Sequence, residues 1–343
     1  MCIGNGTGYG QTPNAVPYNG LLPVDLLKKI TVMGKFSGSH IAIGQNFMID
    51  NLTGELLAKD GSIQIAPLTM NAYKGVHQLD LNIDLTKAAP VFKFTEQADN
   101  FTLEPVMKLL KLPKIIDGTA KIKMALEATG NTVDELKQSV NGGINLNVNK
   151  GLFYDLDITK LMQFIASTTE GAFEQLSSSK NVSLHDLLQP KATKWLELQK
   201  DNPSSSFDSF DFKADIKQGV AQTSSFALAN PTYQFNADGS FNIVTNEIKY
   251  NGTIKSNIDL TGNIKEITDA IKLAPLTVPI SGSFTQPIFS PDLETYEVDI
   301  FNQTQDALIK RAASSMVAAA PANDKTSKAA DEIFSDSLKG LAK

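Results

Sequence analysis

Histidine is the side chain most often used both for metal binding and for proton transfer near neutral pH. The chain has three histidines, His40, His77 and His185, which lie far apart in the sequence. Local metal sites place two ligands within a few residues of each other, as in His-Glu-x-x-His. The spacing therefore indicates no local histidine pair for a metal. We interpret His77 as a strand surface residue and His185 as part of the first turn of a helix.

Two carboxylates, Asp155 and Asp157, have a spacing that would put both on one strand face, where such a pair can do acid–base chemistry. A helical pattern begins directly after them, so a turn and a helix N-cap are the favoured interpretation. The alternate glycines of segment 4–10 suggest a phosphate-binding loop, but no strand pattern precedes them and no Gly-Lys-Ser/Thr follows. With no catalytic motif in the sequence, we predict a protein that is not an enzyme and uses no cofactor and no metal.

Composition excludes further classes of protein. The 343 residues include 31 basic and 37 acidic side chains, for a formal net charge of −6. Nucleic-acid binders generally carry a basic excess, so we predict no nucleic-acid partner. The single cysteine, Cys2, allows no internal disulfide. The N-terminus does not resemble a signal peptide, and no apolar run approaches the ~18 residues of a membrane-spanning helix.

Alternation of apolar and polar residues dominates segment 21–150 and returns after residue 203. Leu79, Leu81 and Ile83, for example, alternate with Asp80 and Asn82, which places the apolar side chains on one strand face. The pattern predicts about a dozen half-buried strands. Tight turns are predicted at five dipeptides that tolerate positive φ, namely Asp60-Gly61, Asp117-Gly118, Asn141-Gly142, Asp238-Gly239 and Asn251-Gly252.

Helical periodicity is mostly confined to segments 103–112, 132–140 and 157–199, and it resumes near residue 300. Thr132 and Glu135 fit a capping box, and Asp157 fits an N-cap. We therefore divide the chain into three parts. They are a flexible Gly-rich leader at 1–20, a β-rich domain at 21–296 with a helical insert at about 157–200, and a helical or partly disordered tail at 297–343.

A sheet with one apolar face must cover that face. The predicted helices are too few to cover about a dozen strands. Two alternatives follow: a sheet packed on itself as a sandwich or barrel, or a trough whose lining meets an apolar ligand. Phenylalanine supplies 18 aromatic residues and tryptophan only one, which suits an apolar ligand. Candidate lining residues, for which a packed core position is an equal alternative, are Leu79, Leu81, Ile83, Ile122, Met124, Leu126, Ile144, Leu146, Phe210, Phe212, Phe241 and Ile243.

Several segments, taken in order, resemble the C-terminal region of the AsmA family. They include Leu22-Pro23-Val24-Asp25-Leu26-Leu27, Gly151-Leu152-Phe153-Tyr154-Asp155-Leu156-Asp157-Ile158 and Leu276-Thr277-Val278-Pro279-Ile280, with further pieces at 34–38, 52–68, 141–143, 207–220 and 282–293. Together they cover roughly residues 21–293. Each segment is weakly specific, and their common order carries the resemblance.

The resemblance implies a relative of bridge-like lipid-transfer proteins, in which a curled sheet holds acyl chains in an apolar groove. The fold expected is mainly β with α insertions: an elongated, curled antiparallel β-sheet forming that groove, with a central helical insert and a C-terminal helical tail. The implied partners are phospholipids, together with envelope membranes or components of outer-membrane protein assembly.

The same resemblance implies a role in lipid transport between the inner and outer membranes of Gram-negative bacteria, at the periplasmic side of the inner membrane. The alternative is an assembly factor that influences insertion of outer-membrane proteins and lipopolysaccharide without carrying lipid. The membrane anchor of the family has no counterpart in this sequence, which predicts a truncated product.

Overall fold

A computed structural model of the chain describes residues 20–43, 47–109, 112–178 and 203–319. The strands are β1 Val32–Ile43, β2 Phe47–Lys59, β3 Ser62–Ala72, β4 Gly75–Asp84, β5 Val91–Thr102, β6 Thr119–Thr129, β7 Asn141–Tyr154, β8 Ser204–Lys217, β9 Val220–Asn230, β10 Tyr233–Asn242, β11 Glu247–Ser256, β12 Leu276–Ser283 and β13 Gln286–Phe289. The helices are α1 Val24–Leu27, α2 Leu103–Leu109, α3 Val133–Ser139, α4 Ile158–Ser178, α5 Lys265–Leu273 and α6 Leu293–Ala319.

All thirteen strands form one antiparallel sheet in which each strand lies beside its sequence neighbours, in the order β1 to β13. The first and last strands are the two edges, so the sheet is not closed into a barrel. This confirms the predicted mainly β fold with a central and a C-terminal helix. The predicted leader up to residue 19, the predicted helix that contains His185 and the part of the predicted tail beyond residue 319 lie outside the described residues.

The alternation in the sequence becomes two chemically different faces of the sheet. On one face Ile65 pairs with Leu81, and Leu81 pairs with Phe94 of the next strand. On the other face a lysine and a glutamate, Lys93 and Glu127, form a cross-strand ion pair at 3.1 Å. Because residues i and i+2 share a face, this register gives the sheet one apolar and one polar side.

Three of the five predicted turns are wrong, because Asn141-Gly142, Asp238-Gly239 and Asn251-Gly252 lie inside β7, β10 and β11. Of the five dipeptides, Asp60-Gly61 alone forms a two-residue connection between strands, with φ of 50° and 79°. At Gly142 the close approach of β6 explains the glycine, since a Cβ there would lie 2.0 Å from the carbonyl oxygen of Ala125. Glycine in these strands therefore marks close backbone contact and not a chain reversal.

Both predicted helix caps are confirmed. The Thr132 hydroxyl accepts the Glu135 N–H at 3.2 Å while the Glu135 carboxylate accepts the Thr132 N–H at 3.0 Å, which completes the capping box of α3. At the start of α4 the carboxylate of Asp157 accepts the N–H of Lys160 at 2.9 Å. These caps satisfy backbone donors that a helix leaves unpaired in its first turn.

Helix α5 is absent from the sequence prediction because its N-cap residue, Ile264, has no capping side chain. The cap comes from α4, where the Glu170 carboxylate accepts the N–H groups of Asn263 at 3.0 Å and Ile264 at 2.8 Å. Ile267 and Ile271 of α5 are then fully buried. A cap delivered from a distant part of the chain leaves no local mark in the sequence.

The helices cover only part of the sheet. Side chains of α4, α5 and α6 form one buried core with the apolar residues of β7–β12, including Phe235, which is fully buried. Helix α6 starts before the predicted tail, and its Ile300 and Leu308 belong to that core. By contrast, no described side chain of β1 is buried, and Met33 is 83% exposed. Within the part of the chain that the structure describes, the sheet therefore has a covered C-terminal half and an open N-terminal half.

Candidate functional site

Most of the predicted lining residues are half-buried. Only Ile83 and Phe210 are buried, at 7% and 5% exposure. The ten half-buried residues are Leu79, Leu81, Ile122, Met124, Leu126, Ile144, Leu146, Phe212, Phe241 and Ile243. A contiguous set of half-exposed apolar side chains is a surface on which an apolar partner can replace water.

Cross-strand register makes this surface continuous. Met124 of β6 pairs with Ile144 of β7, and Leu146 of β7 pairs with Phe212 of β8. Toward the N-terminus, Leu79 pairs with Leu68 of β3. The surface reaches β1, where the ring of Phe36 lies against Gly54. We call the apolar side of β1–β8 the apolar face; at a strand spacing of about 4.8 Å it extends for roughly 34 Å.

One polar pair interrupts the apolar face. Glu96 of β5 stands where the alternation requires an apolar residue, and its carboxylate lies 3.0 Å from Nδ1 of His77. Nε2 of the same ring lies 3.2 Å from the carbonyl oxygen of Ala72, and the Phe101 ring lies 5.4 Å away. His77 is 5% exposed, so its predicted surface position is wrong. Because these polar atoms bond to one another, they leave the surrounding surface apolar.

The C-terminal half of the sheet curls around a cavity of about 200 Å³. Phe153 of β7 and Phe289 of β13 contact each other with ring centroids 5.8 Å apart, although five strands lie between theirs in the sheet. Met107 of α2 and the following Ile115 and Ile116 form another part of the wall. The other lining residues, which with Phe153 and Phe289 represent every strand from β7 to β13, are Leu146, Phe210, Phe212, Phe226, Phe241, Ile248, Tyr250, Ile280, Phe284 and Pro287.

We call this space the Phe cavity, and its chemistry is that of a hydrocarbon site. None of the described side chains that line it is charged. The hydroxyl of Tyr250 lies 2.8 Å from the hydroxyl of Thr223. Burial raises the pKa of the Tyr250 phenol, so that this group remains uncharged at neutral pH. A ligand in the Phe cavity would gain dispersion contacts and exclusion of water, with little to hydrogen-bond.

Four of the twelve predicted lining residues, Leu146, Phe210, Phe212 and Phe241, lie at the Phe cavity. The sequence did not predict the remaining residues that line the cavity, for two reasons. Alternation shows which face of a strand is apolar, but not which strands meet when the sheet curls. Met107, Ile115 and Ile116 belong to a helix and a connecting segment, where a period of two residues carries no information.

Two properties of the described residues complete the chemical description. No group of three or more His, Cys, Asp and Glu side chains there is arranged to hold a metal ion. None of the helices described is both long enough and apolar enough to cross a bilayer.

Comparison with known proteins then identifies the family. The model of the AsmA family matches residues 28–226, which is more than half of the chain. The chain belongs to the AsmA family. No match was found among curated proteins or among solved structures. The AsmA match spans the whole apolar face and reaches Phe226 at the Phe cavity. Membership of this envelope-associated family supports an envelope-associated function.

Proposed function

We propose that this AsmA-family chain is a non-enzymatic protein of envelope biogenesis that binds phospholipid acyl chains on its apolar face. In this proposal it supports lipid transport between the inner and outer membranes from the periplasmic side of the inner membrane. The observation that carries the proposal is the continuous, half-buried apolar face from β1 to β8, which adjoins a cavity without charged side chains. The family membership supports it.

Burial of hydrocarbon is the expected source of affinity. At about 25 cal/mol per Å², covering about 300 Å² of acyl chain gains about 7.5 kcal/mol before the entropic costs of binding. The His77–Glu96 pair within the face already bonds internally. We therefore expect the protein to distinguish hydrocarbon from water strongly and one phospholipid head group from another weakly.

Photo-crosslinking tests where the lipid lies. A benzophenone amino acid is placed at Leu81 or Met124 on the apolar face, and at the adjacent Asn82 or Ala125 as matched positions on the opposite face. The full chain is mixed with vesicles of radiolabelled phosphatidylethanolamine and phosphatidylglycerol and illuminated. Because consecutive strand residues point to opposite faces, we expect at least about fivefold more label at the first two positions. Equal labelling of both faces would count against the proposal.

A second candidate function is that of an assembly factor, and the outer edge of β1, which pairs with no other described strand, favours it. This strand has twelve residues, no proline and a single lysine, Lys35. Its Met33 and Phe36 side chains are 83% and 37% exposed. Long apolar edges of this kind pair with strands of other chains, and an unfolded outer-membrane protein is such a partner. Co-purification of protein in place of lipid would favour this second function.

A further inference from the structure

We propose that the Phe cavity binds the methyl-terminal part of a single acyl chain. A lipid would then lie with its tail toward β13 and its head group toward the open half of the sheet. This inference rests on the proposed function and deepens it, since it gives the bound chain a direction and a place where it ends.

Size is the first argument. An apolar cavity of about 150 Å³ is large enough to bind benzene and stays dry when it is empty. Benzene fills such a cavity with six carbons, so the Phe cavity at about 200 Å³ holds about eight carbons by the same ratio of volume to carbon number. That is part of a common acyl chain and much less than a whole phospholipid. The rest of the acyl chain must therefore lie outside the cavity.

The wall of the Phe cavity continues into the apolar face. Leu146 lines the cavity and pairs with Ile122 of β6, which is half-buried. Met124 and Leu126 follow on the same side of β6 and are also half-buried. An acyl chain that leaves the cavity past Leu146 thus remains in contact with apolar side chains.

Aromatic contacts cross the curled half of the sheet at the Phe cavity. Phe153 meets Phe289 there at 5.8 Å between centroids, and Phe241 meets Phe284 at 5.2 Å. These contacts join β7 and β10 to the hairpin formed by β12 and β13. In the proposal, the acyl chain ends among these rings.

Polarity determines which end of a lipid enters. Among the described lining side chains, the only hydroxyl is that of Tyr250, and it already lies within hydrogen-bond distance of Thr223. Burying a polar group without a partner is unfavourable, and burying an unpaired charge is more unfavourable still. A head group is consequently excluded, and the methyl end of the chain is the part that fits.

The test uses the full chain and two photoreactive palmitic acids, one with a diazirine beside the methyl end and one with it beside the carboxylate. After illumination, mass spectrometry locates the adducts. We expect the methyl-end probe to label the peptides around Phe212 and Phe289 about tenfold more than the carboxylate-end probe, which should label β4–β6. Identical labelling by both probes, or methyl-end adducts confined to β1–β6, would overturn this inference and leave the proposed function intact. If neither probe labels the apolar face or the cavity, the proposed function fails as well.

A filled cavity provides an independent check. Leu146→Trp places a larger ring at the side where the cavity meets the apolar face, and it should reduce methyl-end adducts in the cavity about fivefold or more. Leu152→Trp is the matched control, since Leu152 lies on the same strand as Leu146, is 37% exposed and is not among the residues that line the cavity. A folded Leu146→Trp protein with unchanged adducts contradicts the inference. If that variant does not fold, the two probes on the unmodified chain still decide.

Discussion

Phospholipid recovery is expected to fall by about tenfold or more when Leu81 and Met124 are both replaced by glutamate. Both side chains are half-buried on the apolar face. A new carboxylate there stays in contact with water while the face is empty, so folding is little affected. When an acyl chain covers the face, the carboxylate loses its water and gains no partner. The substitution thus acts on binding more than on stability.

The matched control places the same two charges on the opposite face. Asn82→Glu and Ala125→Glu change the residues that directly follow Leu81 and Met124 in β4 and β6. Lipid per protein is measured by mass spectrometry after purification without detergent, and circular dichroism verifies the fold. The control protein should retain its lipid. If both double variants retain lipid equally, acyl chains do not bind on the apolar face.

Phe153→Ala is expected to lower the free energy of unfolding by about 3–5 kcal/mol. Phe153 is 2% exposed, and its ring contacts those of Phe226, Phe235 and Phe289 at centroid distances of 6.4, 6.2 and 5.8 Å. Truncation removes these contacts and leaves a void at the place where β13 returns to β7. The curl of the sheet should weaken together with its stability.

Leu152→Ala is the control for this variant, because Leu152 precedes Phe153 on β7 and is 37% exposed. Its loss should cost about 1 kcal/mol or less. Urea unfolding followed by circular dichroism gives both values. Equal losses for the two variants would mean that the aromatic cluster does not hold the curled half together.

The strands and their order follow from local patterns in the sequence. Leu79, Leu81 and Ile83 alternate with polar residues, and the structure places them in β4 on the apolar side. The capping box at Thr132 and the cap at Asp157 likewise depend on residues within one helical turn. Such features are predictable because the interactions that produce them lie within a few residues of each other.

The curl and the cavity depend on contacts between distant residues, which leave no periodic signal. Phe153 and Phe289 belong to strands at opposite ends of the curled half, and their approach is visible only once the sheet is formed. The cap of α5 by Glu170 and the burial of His77 against Glu96 have the same origin. In each case a partner far away in the sequence decides the role of the residue.

The proposed binding involves two parts of one sheet. The N-terminal half presents half-exposed apolar side chains, on which we propose that an acyl chain lies, and the curled half contains the Phe cavity, in which we propose that it ends. Among the described residues, α4, α5 and α6 pack on the core that they form with β7–β12. β7 and β8 contribute to both the apolar face and the cavity, whereas Leu81 and Met124 lie on the apolar face alone and Phe289 lines the cavity alone, so substitutions can test the two parts separately.

The most direct measurement is the lipid content of the full chain, produced in a Gram-negative host and purified without detergent. Extracted lipids are quantified by mass spectrometry against protein concentration. We expect near-stoichiometric phospholipid, with head groups in the proportions of the host membrane. A folded protein that carries no lipid would contradict this expectation and would favour a closed core and the assembly-factor function.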